Sequence, residues 1–227
     1  MGLERLRGRW ERSTAPLLNL LGGVEPNHLT WGSLVVALAA AAVGVQAGRD
    51  EPWSWLLVAA LMGLAFLLDG LDGQLARRRG VEGPAGDLLD HTLDRVVDAA
   101  LLVALGYNSA WSLHPSVGVA LGWAAALATM FGSYMGTAAK SVGLSRNYSG
   151  FSRADRSVVL LLGVLACAVQ AAAGAGDLCG PELCGSALHW NGVSASLCLC
   201  LLGGSVTFLA RFRSSIRELR AKTGRPE

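Results

Sequence analysis

Long apolar stretches follow one another along most of the chain, with short polar segments between them. A helix that crosses a lipid bilayer needs about 20 predominantly apolar residues. Stretches of roughly that length occur at residues 29–47, 53–71, 88–107, 117–139, 158–173 and 188–212. The pattern therefore predicts an all-α integral membrane protein with six transmembrane helices.

The segment before the first stretch has a different pattern, in which scattered apolar residues alternate with arginines between Arg5 and Arg12. Such a basic, amphipathic segment is typical of a helix that lies on the membrane surface. We therefore predict three parts of the chain: a cytoplasmic surface helix at residues 1–22, a six-span domain at residues 23–214 and a basic cytoplasmic tail at residues 215–227.

The composition supports a membrane protein and excludes other classes. Of the 227 residues, 52% are hydrophobic and 16% are charged, and the formal net charge is +2. Soluble domains carry about 25% charged residues, and disordered chains combine low hydrophobicity with high net charge. Nucleic acid is not an expected partner, because the basic residues do not gather on one soluble face.

The basic residues indicate how the spans are oriented. Lysine and arginine concentrate in the two terminal segments, after the second stretch (Arg77 to Arg79) and between the fourth and fifth stretches (Lys140 to Arg156). The connections on the opposite side carry only Arg49. The positive-inside rule therefore predicts a multi-pass protein of the cell membrane, with both termini and a candidate active site facing the cytoplasm.

Aspartates interrupt the apolar pattern at the end of the second stretch and the start of the third. Asp69 and Asp72 have i,i+3 spacing and Asp90 and Asp94 have i,i+4 spacing, so each pair shares one helix face. Ionisable groups inside spans are costly and usually mark function. The connection at residues 78–85 is short, which predicts that the two helices are antiparallel neighbours whose carboxylate pairs face each other.

Four facing carboxylates would repel one another strongly in a medium of low dielectric constant. Hard divalent cations relieve that repulsion, and carboxylate oxygens suit Mg²⁺ or Mn²⁺. Two such ions about 3.5–4 Å apart are an arrangement used in phosphoryl transfer. Gly73 and Gly86 would let a phosphate ligand approach the backbone, and Arg77 would supply a fixed cation for a pyrophosphate.

These residues resemble a family signature. The run Asp69-x2-Asp72-Gly73-x2-Ala76-Arg77-x8-Gly86-x3-Asp90-x3-Asp94 matches the motif of the CDP-alcohol phosphotransferases at every fixed position. The run Pro26-Asn27-His28-Leu29-Thr30, which leads into the first span, is similar to the Pro-Asn-x-x-Thr of the same family.

The resemblance implies a homodimeric membrane enzyme that splits a CDP-linked substrate, releases CMP and forms a phosphodiester with an acceptor alcohol. By position, Asp69, Asp72 and Asp90 would bind metal, and Asp94 would bind metal or act as the general base. The residues implied to contact the CDP moiety are Asn27, Thr30, Asp72, Gly73, Ala76, Arg77 and Gly86. We expect a CDP-linked lipid to enter from the bilayer and a polar acceptor to enter from the cytoplasm.

Three arginines are candidates for binding the acceptor. Arg153 and Arg156 have i,i+3 spacing, and Arg211 ends the last span on the same side. Converging guanidinium groups would hold a phosphate, although the positive-inside rule alone also places arginines here. An Arg-x-x-Arg at this place resembles the family members that use inositol phosphate, the phosphatidylinositol-phosphate and archaetidylinositol-phosphate synthase type.

The chain departs from that type in two places. The usual basic residues after the tyrosine of the fourth span are replaced by Gly136 and Ala138. Either Lys140 substitutes for them or the acceptor differs. His91 follows Asp90, as in the choline and ethanolamine phosphotransferases, and acts either as an accessory base or as a hydrogen-bonding group toward a neighbouring helix.

Alternatives to a phosphorylated acceptor remain open. One is a CDP-choline or CDP-ethanolamine type phosphotransferase that acts on a lipid alcohol, and another is a divalent-cation transporter, whose site should lie near the membrane midplane. A prenyltransferase would need two aspartate-rich motifs far apart in the sequence. Cys179 and Cys184, in a predicted external loop, form a disulfide in an oxidising compartment or remain free thiols.

Overall fold

The computed structural model describes residues 13–108, 115–145, 150–175 and 190–224, and within them all regular elements are helices. A short helical segment at residues 13–20 precedes six long helices. The long helices are α1 (Pro26–Gln46), α2 (Pro52–Arg79), α3 (Pro84–Tyr107), α4 (Pro115–Ser141), α5 (Arg153–Ala172) and α6 (Gly192–Thr223). The predicted all-α class is confirmed.

Among the described residues, five helices are long and apolar enough to cross a membrane, namely α1, α2, α4, α5 and α6. They indicate a membrane-embedded protein. α3 is not among them, and it carries five charged residues between its first turn and its middle: Asp87, Asp90, Asp94, Arg95 and Asp98. A sixth span at α3 therefore stays a prediction.

Each long helix packs mainly against two others, and together they form a closed ring in the order α1, α2, α5, α6, α4, α3. α1 contacts both α2 and α3, whereas α2 and α3 make only marginal contact with each other. The prediction that α2 and α3 pack side by side is therefore wrong, although carboxylates of the two helices do approach each other, since Asp69 and Asp94 contact the same nitrogen of Arg153. Small buried side chains such as Ala37 and Ala40 let α1 pack closely beside both helices.

Local sequence signals explain where the helices near the aspartates begin and end. α1, α2 and α3 each begin on a proline, whose fixed φ suits the first turn and whose missing N–H costs nothing there. α2 ends at Gly80, which has a φ of +64°. Glycine adopts this left-handed conformation without steric strain. The short turn at Gly80 and Gly83 then leads the chain into α3.

The N-terminal segment is fixed to the end of the ring that carries the aspartates. Leu18 packs with Leu29 and Leu71 in a small apolar cluster, and Thr14 Oγ1 donates a 2.9 Å hydrogen bond to Gln74 Oε1. Most of the predicted surface helix, residues 1–12, lies outside the described residues, as do Cys179 and Cys184. The predicted tail is helical as far as Thr223, since α6 includes it.

Candidate active site

Three helices bring their charged residues together at one end of the ring. Asp69 lies on α2, Asp94 lies on α3, and Arg153 is the first residue of α5. Arg153 Nη1 lies 2.6 Å from Asp69 Oδ2 and 2.8 Å from Asp94 Oδ1. A single guanidinium nitrogen therefore bridges two carboxylates that α2 and α3 contribute separately.

Asp72 is held rigidly by a residue of α1. Its side chain is buried, and its Oδ2 accepts a 2.6 Å hydrogen bond from Thr30 Oγ1. The backbone N–H of Gly73 donates to Asp72 Oδ1 at 2.5 Å. Both carboxylate oxygens are thus oriented by neighbouring donors, which fixes the direction in which Asp72 presents its remaining lone pairs.

The other two predicted metal ligands lie on α3 beside His91. One potential ligand atom each from Asp90, His91 and Asp94 lies within 4.8 Å of the others. His91 Nδ1 is 3.7 Å from Asp90 Oδ2; the side chain of His91 is exposed and that of Asp90 is half-buried. Carboxylate oxygens are the ligands that Mg²⁺ and Mn²⁺ prefer, and Asp69 and Asp94 already converge on one cationic nitrogen. The donor set therefore fits hard divalent cations.

A cavity of about 410 Å³ opens between α1, the end of α2, the α2–α3 turn and the start of α3. We call it the larger cavity. Its lining includes every residue that the motif implies for the CDP moiety: Asn27, Thr30, Asp72, Gly73, Ala76, Arg77 and Gly86. Asp90 also lines it, so the larger cavity reaches the carboxylates. Arg79, a residue with no predicted role in binding, lines it as well.

The two motif glycines leave the larger cavity open. A Cβ added at Gly86 would meet nothing within 4 Å, and one at Gly73 would meet Arg77 Nη1 at 3.5 Å. The absent side chains therefore leave space, and they do not serve close helix packing at these positions. That space lies beside the carboxylates, where the sequence predicted the approach of a phosphate group.

A second cavity, of about 160 Å³, lies on the other side of Arg153. We call it the arginine cavity, because four arginines line it: Arg95, Arg153, Arg156 and Arg211. Three of them are the predicted acceptor arginines, which the structure brings together from α5 and α6. Lys140 does not line this cavity; it is exposed near the end of α4.

Arg95 is the one arginine of this cavity that was not predicted as a site residue. Its Nη1 donates a 2.5 Å hydrogen bond to Ser133 Oγ on α4 and lies 3.5 Å from Asp98 Oδ2. The available signal was a charged residue inside a predicted span, which usually marks function. Arg156 is buried and forms an ion pair of 2.6 Å with Asp98 Oδ2.

The start of α5 sets the direction of Arg153 and Arg156. Ser152 and Asp155 form a capping box, in which each side chain accepts from the backbone N–H of the other residue. Gly150 precedes them with a φ of +106°, and a Cβ there would lie 2.6 Å from Thr207 Oγ1. Only glycine fits this backbone so close to α6.

Comparison with known proteins agrees with this geometry. The family model described as CDP-alcohol phosphatidyltransferase matches residues 24–197 of the chain. A phosphatidylinositol phosphate synthase of Cutibacterium acnes is 29% identical over 213 residues, which cover 92% of this chain and 95% of that protein.

Two crystal structures of a phosphatidylinositol phosphate synthase from Mycobacterium tuberculosis have the same fold. The structure with CDP-DAG bound has a TM-score of 0.68 and 23% identity, and the alignment covers 90% of this chain and 94% of that one. The structure in complex with manganese and citrate has a TM-score of 0.67 and 22% identity, with 89% and 88% covered.

The fold and the site together define a membrane-embedded transferase for substituted phosphate groups. The chain belongs to the CDP-alcohol phosphatidyltransferase family. Its members release CMP when they transfer the group to an alcohol, so the predicted family and the predicted class of enzyme are confirmed. The matched region contains Asn27 and Thr30, the aspartate motif, and Arg153 and Arg156.

Proposed function

We propose that the chain transfers a phosphatidyl-type group from a CDP-linked lipid to a phosphorylated polar alcohol, with inositol phosphate as the first candidate and glycerol phosphate as the second. One observation carries this proposal: the carboxylates connect the two cavities, because Asp72 and Asp90 line the larger cavity while Arg153, which lines the arginine cavity, contacts Asp69 and Asp94. The larger cavity is lined by the CDP motif and the arginine cavity by four guanidinium groups. A nucleotide and an acceptor phosphate would then flank the same aspartates.

The residues of the larger cavity bind and orient the donor. Arg77 faces the position of the pyrophosphate, and Gly73 and Gly86 leave room for it. The proposed metal ligands are Asp69, Asp72, Asp90 and Asp94. Two divalent cations bound by these carboxylates would neutralise the charge of the pyrophosphate and of the departing CMP.

Asp94 is the proposed general base. It is buried on α3 and contacts Arg153, which lines the arginine cavity proposed to hold the acceptor. Asp94 accepts the hydroxyl proton as the acceptor oxygen bonds to the lipid-bearing phosphorus. The bond between that phosphorus and the CMP oxygen breaks, and CMP leaves with both electrons of that bond.

We further propose that the donor, CDP-diacylglycerol or an ether-lipid equivalent, enters from the bilayer and that the acceptor enters from the cytoplasm. The solved Mycobacterium tuberculosis relative with CDP-DAG bound supports a lipid donor, and the relative with manganese supports a divalent cation. The basic loops of the sequence support a cell membrane location, with the active site and both termini in the cytoplasm. The homodimer rests on the family resemblance.

The test measures CMP release from CDP-diacylglycerol by the purified protein with Mg²⁺ or Mn²⁺. The acceptors compared are inositol 1-phosphate, glycerol 3-phosphate, free inositol and serine. Release that requires a phosphorylated acceptor supports the proposal. Release with an unphosphorylated acceptor alone overturns the assignment of the acceptor but leaves the class of enzyme intact.

His91 beside Asp90 favours a second candidate, a phosphotransferase that moves a choline or ethanolamine phosphate onto a lipid alcohol. The same assay with CDP-choline or CDP-ethanolamine and diacylglycerol distinguishes the two functions. CMP release in that arm, without release from CDP-diacylglycerol, would replace the first proposal. If neither arm releases CMP, uptake of divalent cations into proteoliposomes tests a cation transporter.

A further inference from the structure

Arg153 belongs to both halves of the candidate active site. Its Nη1 contacts Asp69 and Asp94, at 2.6 and 2.8 Å, while its side chain also lines the arginine cavity. Within the described residues its Nε is buried without a hydrogen-bond partner, and its nearest ion-pair oxygen there is Asp98 Oδ1 at 3.9 Å. The guanidinium of this cavity-lining residue therefore has a donor that makes no hydrogen bond among the described residues.

The position of Arg153 Nη1 is also the position in which a cation would neutralise these carboxylates. A divalent cation held by Asp69 and Asp94 would need the two carboxylates that now contact the guanidinium. Arginine and metal would therefore compete for these carboxylates. Moving the guanidinium away leaves it without a partner in a poorly solvated site, which is costly.

A phosphate in the arginine cavity would remove that cost. Guanidinium groups form strong, often bidentate, hydrogen bonds with phosphate. Because Arg153 already lines the cavity, it can exchange carboxylate for phosphate by rotating its side chain, with α5 unmoved. Arg156 differs, since its ion pair is with Asp98, outside the proposed metal ligands.

We propose that Arg153 is a specificity-determining residue that couples acceptor binding to metal binding. It neutralises Asp69 and Asp94 until a phosphorylated acceptor draws it into the arginine cavity and frees both carboxylates for the metal. An alcohol without a phosphate leaves Arg153 on the carboxylates and the metal site weak. This inference rests on the proposed function, and by linkage the metal must strengthen acceptor binding by the same factor.

The test measures Mn²⁺ affinity of the purified protein in detergent by electron paramagnetic resonance of the free ion. We expect 1 mM inositol 1-phosphate to tighten Mn²⁺ binding about tenfold, within the usual range of couplings between sites, and free inositol to leave it unchanged. In Arg153→Gln, Mn²⁺ should bind more tightly than in the wild type without any acceptor, and inositol 1-phosphate should give no further gain.

Arg211→Gln is the matched control, because it removes the same charge from the same cavity. Arg211 Nη1 donates to the carbonyl oxygen of Gly132 at 2.7 Å. This variant should keep the Mn²⁺ affinity of the wild type when no acceptor is present. If Arg211→Gln tightens Mn²⁺ binding as much as Arg153→Gln does, the effect is one of net charge and the inference fails.

Other results separate this inference from the proposed function. If inositol 1-phosphate still tightens Mn²⁺ binding tenfold in Arg153→Gln, the acceptor acts directly on the metal and the role of Arg153 is overturned. If Arg153→Gln does not fold, Arg153→Lys is measured instead. Lysine keeps the positive charge but replaces the planar guanidinium with a single ammonium group, so inositol 1-phosphate should tighten Mn²⁺ binding less than in the wild type. CMP release with inositol 1-phosphate but no coupling in the wild type refutes the inference alone, whereas coupling without CMP release refutes the proposed function alone.

Discussion

Thr30 shows how one hydroxyl connects the first helix to the aspartate motif. The motif resemblance implied that Thr30 contacts the CDP moiety, and Thr30 does line the larger cavity. Its hydroxyl, however, donates to Asp72 Oδ2 at 2.6 Å. With Asp72 as a proposed metal ligand, Thr30 would contribute to metal affinity without touching the metal.

We expect Thr30→Val to weaken metal binding, because valine keeps the shape of threonine but lacks its donor. Loss of such an orienting group typically costs about 10–100-fold in metal affinity or activity. The measurement is the Mg²⁺ concentration that gives half-maximal CMP release, which should rise by about tenfold or more. Thr30→Ser keeps the hydroxyl and should remain close to the wild type, whereas equal behaviour of both variants would argue against this role.

At the residue scale, the sequence predicted which side chains lie close together. It predicted less well which contacts those side chains make. The family resemblance named residues of three helices that line one cavity, whereas spacing within a helix could only place Asp69 with Asp72 and Asp90 with Asp94. It did not predict that Arg153 reaches Asp69, a contact between residues 84 positions apart. Such contacts depend on how three helices pack, which local spacing does not encode.

The contact between α3 and α4 has a geometric requirement of its own. A Cβ added at Gly106 would lie 2.7 Å from Gly122 Cα and 2.8 Å from the carbonyl oxygen of Gly118. The atoms that it would meet belong to the backbone and cannot move aside by changing rotamer. Small residues at membrane helix contacts permit this close approach. The contact also sets the distance between Arg95 on α3 and Ser133 on α4.

Gly106→Ala should therefore destabilise the protein even though alanine favours helix. Overpacking of this kind typically costs about 1–3 kcal/mol, which exceeds the gain of about 1 kcal/mol from helix propensity. The measurement is the unfolding midpoint in detergent. Gly63→Ala on α2 is the control, because its Cβ would meet nothing within 4 Å, and it should leave the midpoint unchanged or raise it. A stable Gly106→Ala would mean that α3 and α4 can separate freely.

The ends of the helices are not predicted by hydropathy alone. The second apolar stretch was predicted to end at residue 71, but α2 continues to Arg79. Ala76, Arg77 and Arg79 belong to the helix although they lie beyond the apolar region. The order in which the helices pack around the ring was also not predicted from the sequence. A short connection brings the end of α2 close to the start of α3, yet α1 packs beside both helices. That arrangement separates them and creates the larger cavity.

At the scale of the whole molecule, the ring holds two cavities that share one wall. α1, α2 and α3 form the larger cavity, and α3, α4, α5 and α6 contribute to the arginine cavity. α3 contributes Asp90 to the larger cavity and Arg95 to the arginine cavity. On the same helix, Asp94 lies near Asp90 and contacts Arg153. A substrate in each cavity would therefore approach the proposed general base while keeping contacts of its own.

This division predicts that substitutions in the two cavities affect different substrates. Arg77→Gln should raise the KM for the CDP-linked donor about tenfold or more, since a hydrogen bond to a charged group contributes about 1.5–3 kcal/mol, and should leave the acceptor KM unchanged. Arg211→Gln should do the reverse. Steady-state CMP release, with each substrate varied at saturating concentrations of the other, measures both constants. If either variant raised both KM values equally, the two cavities would form a single binding site.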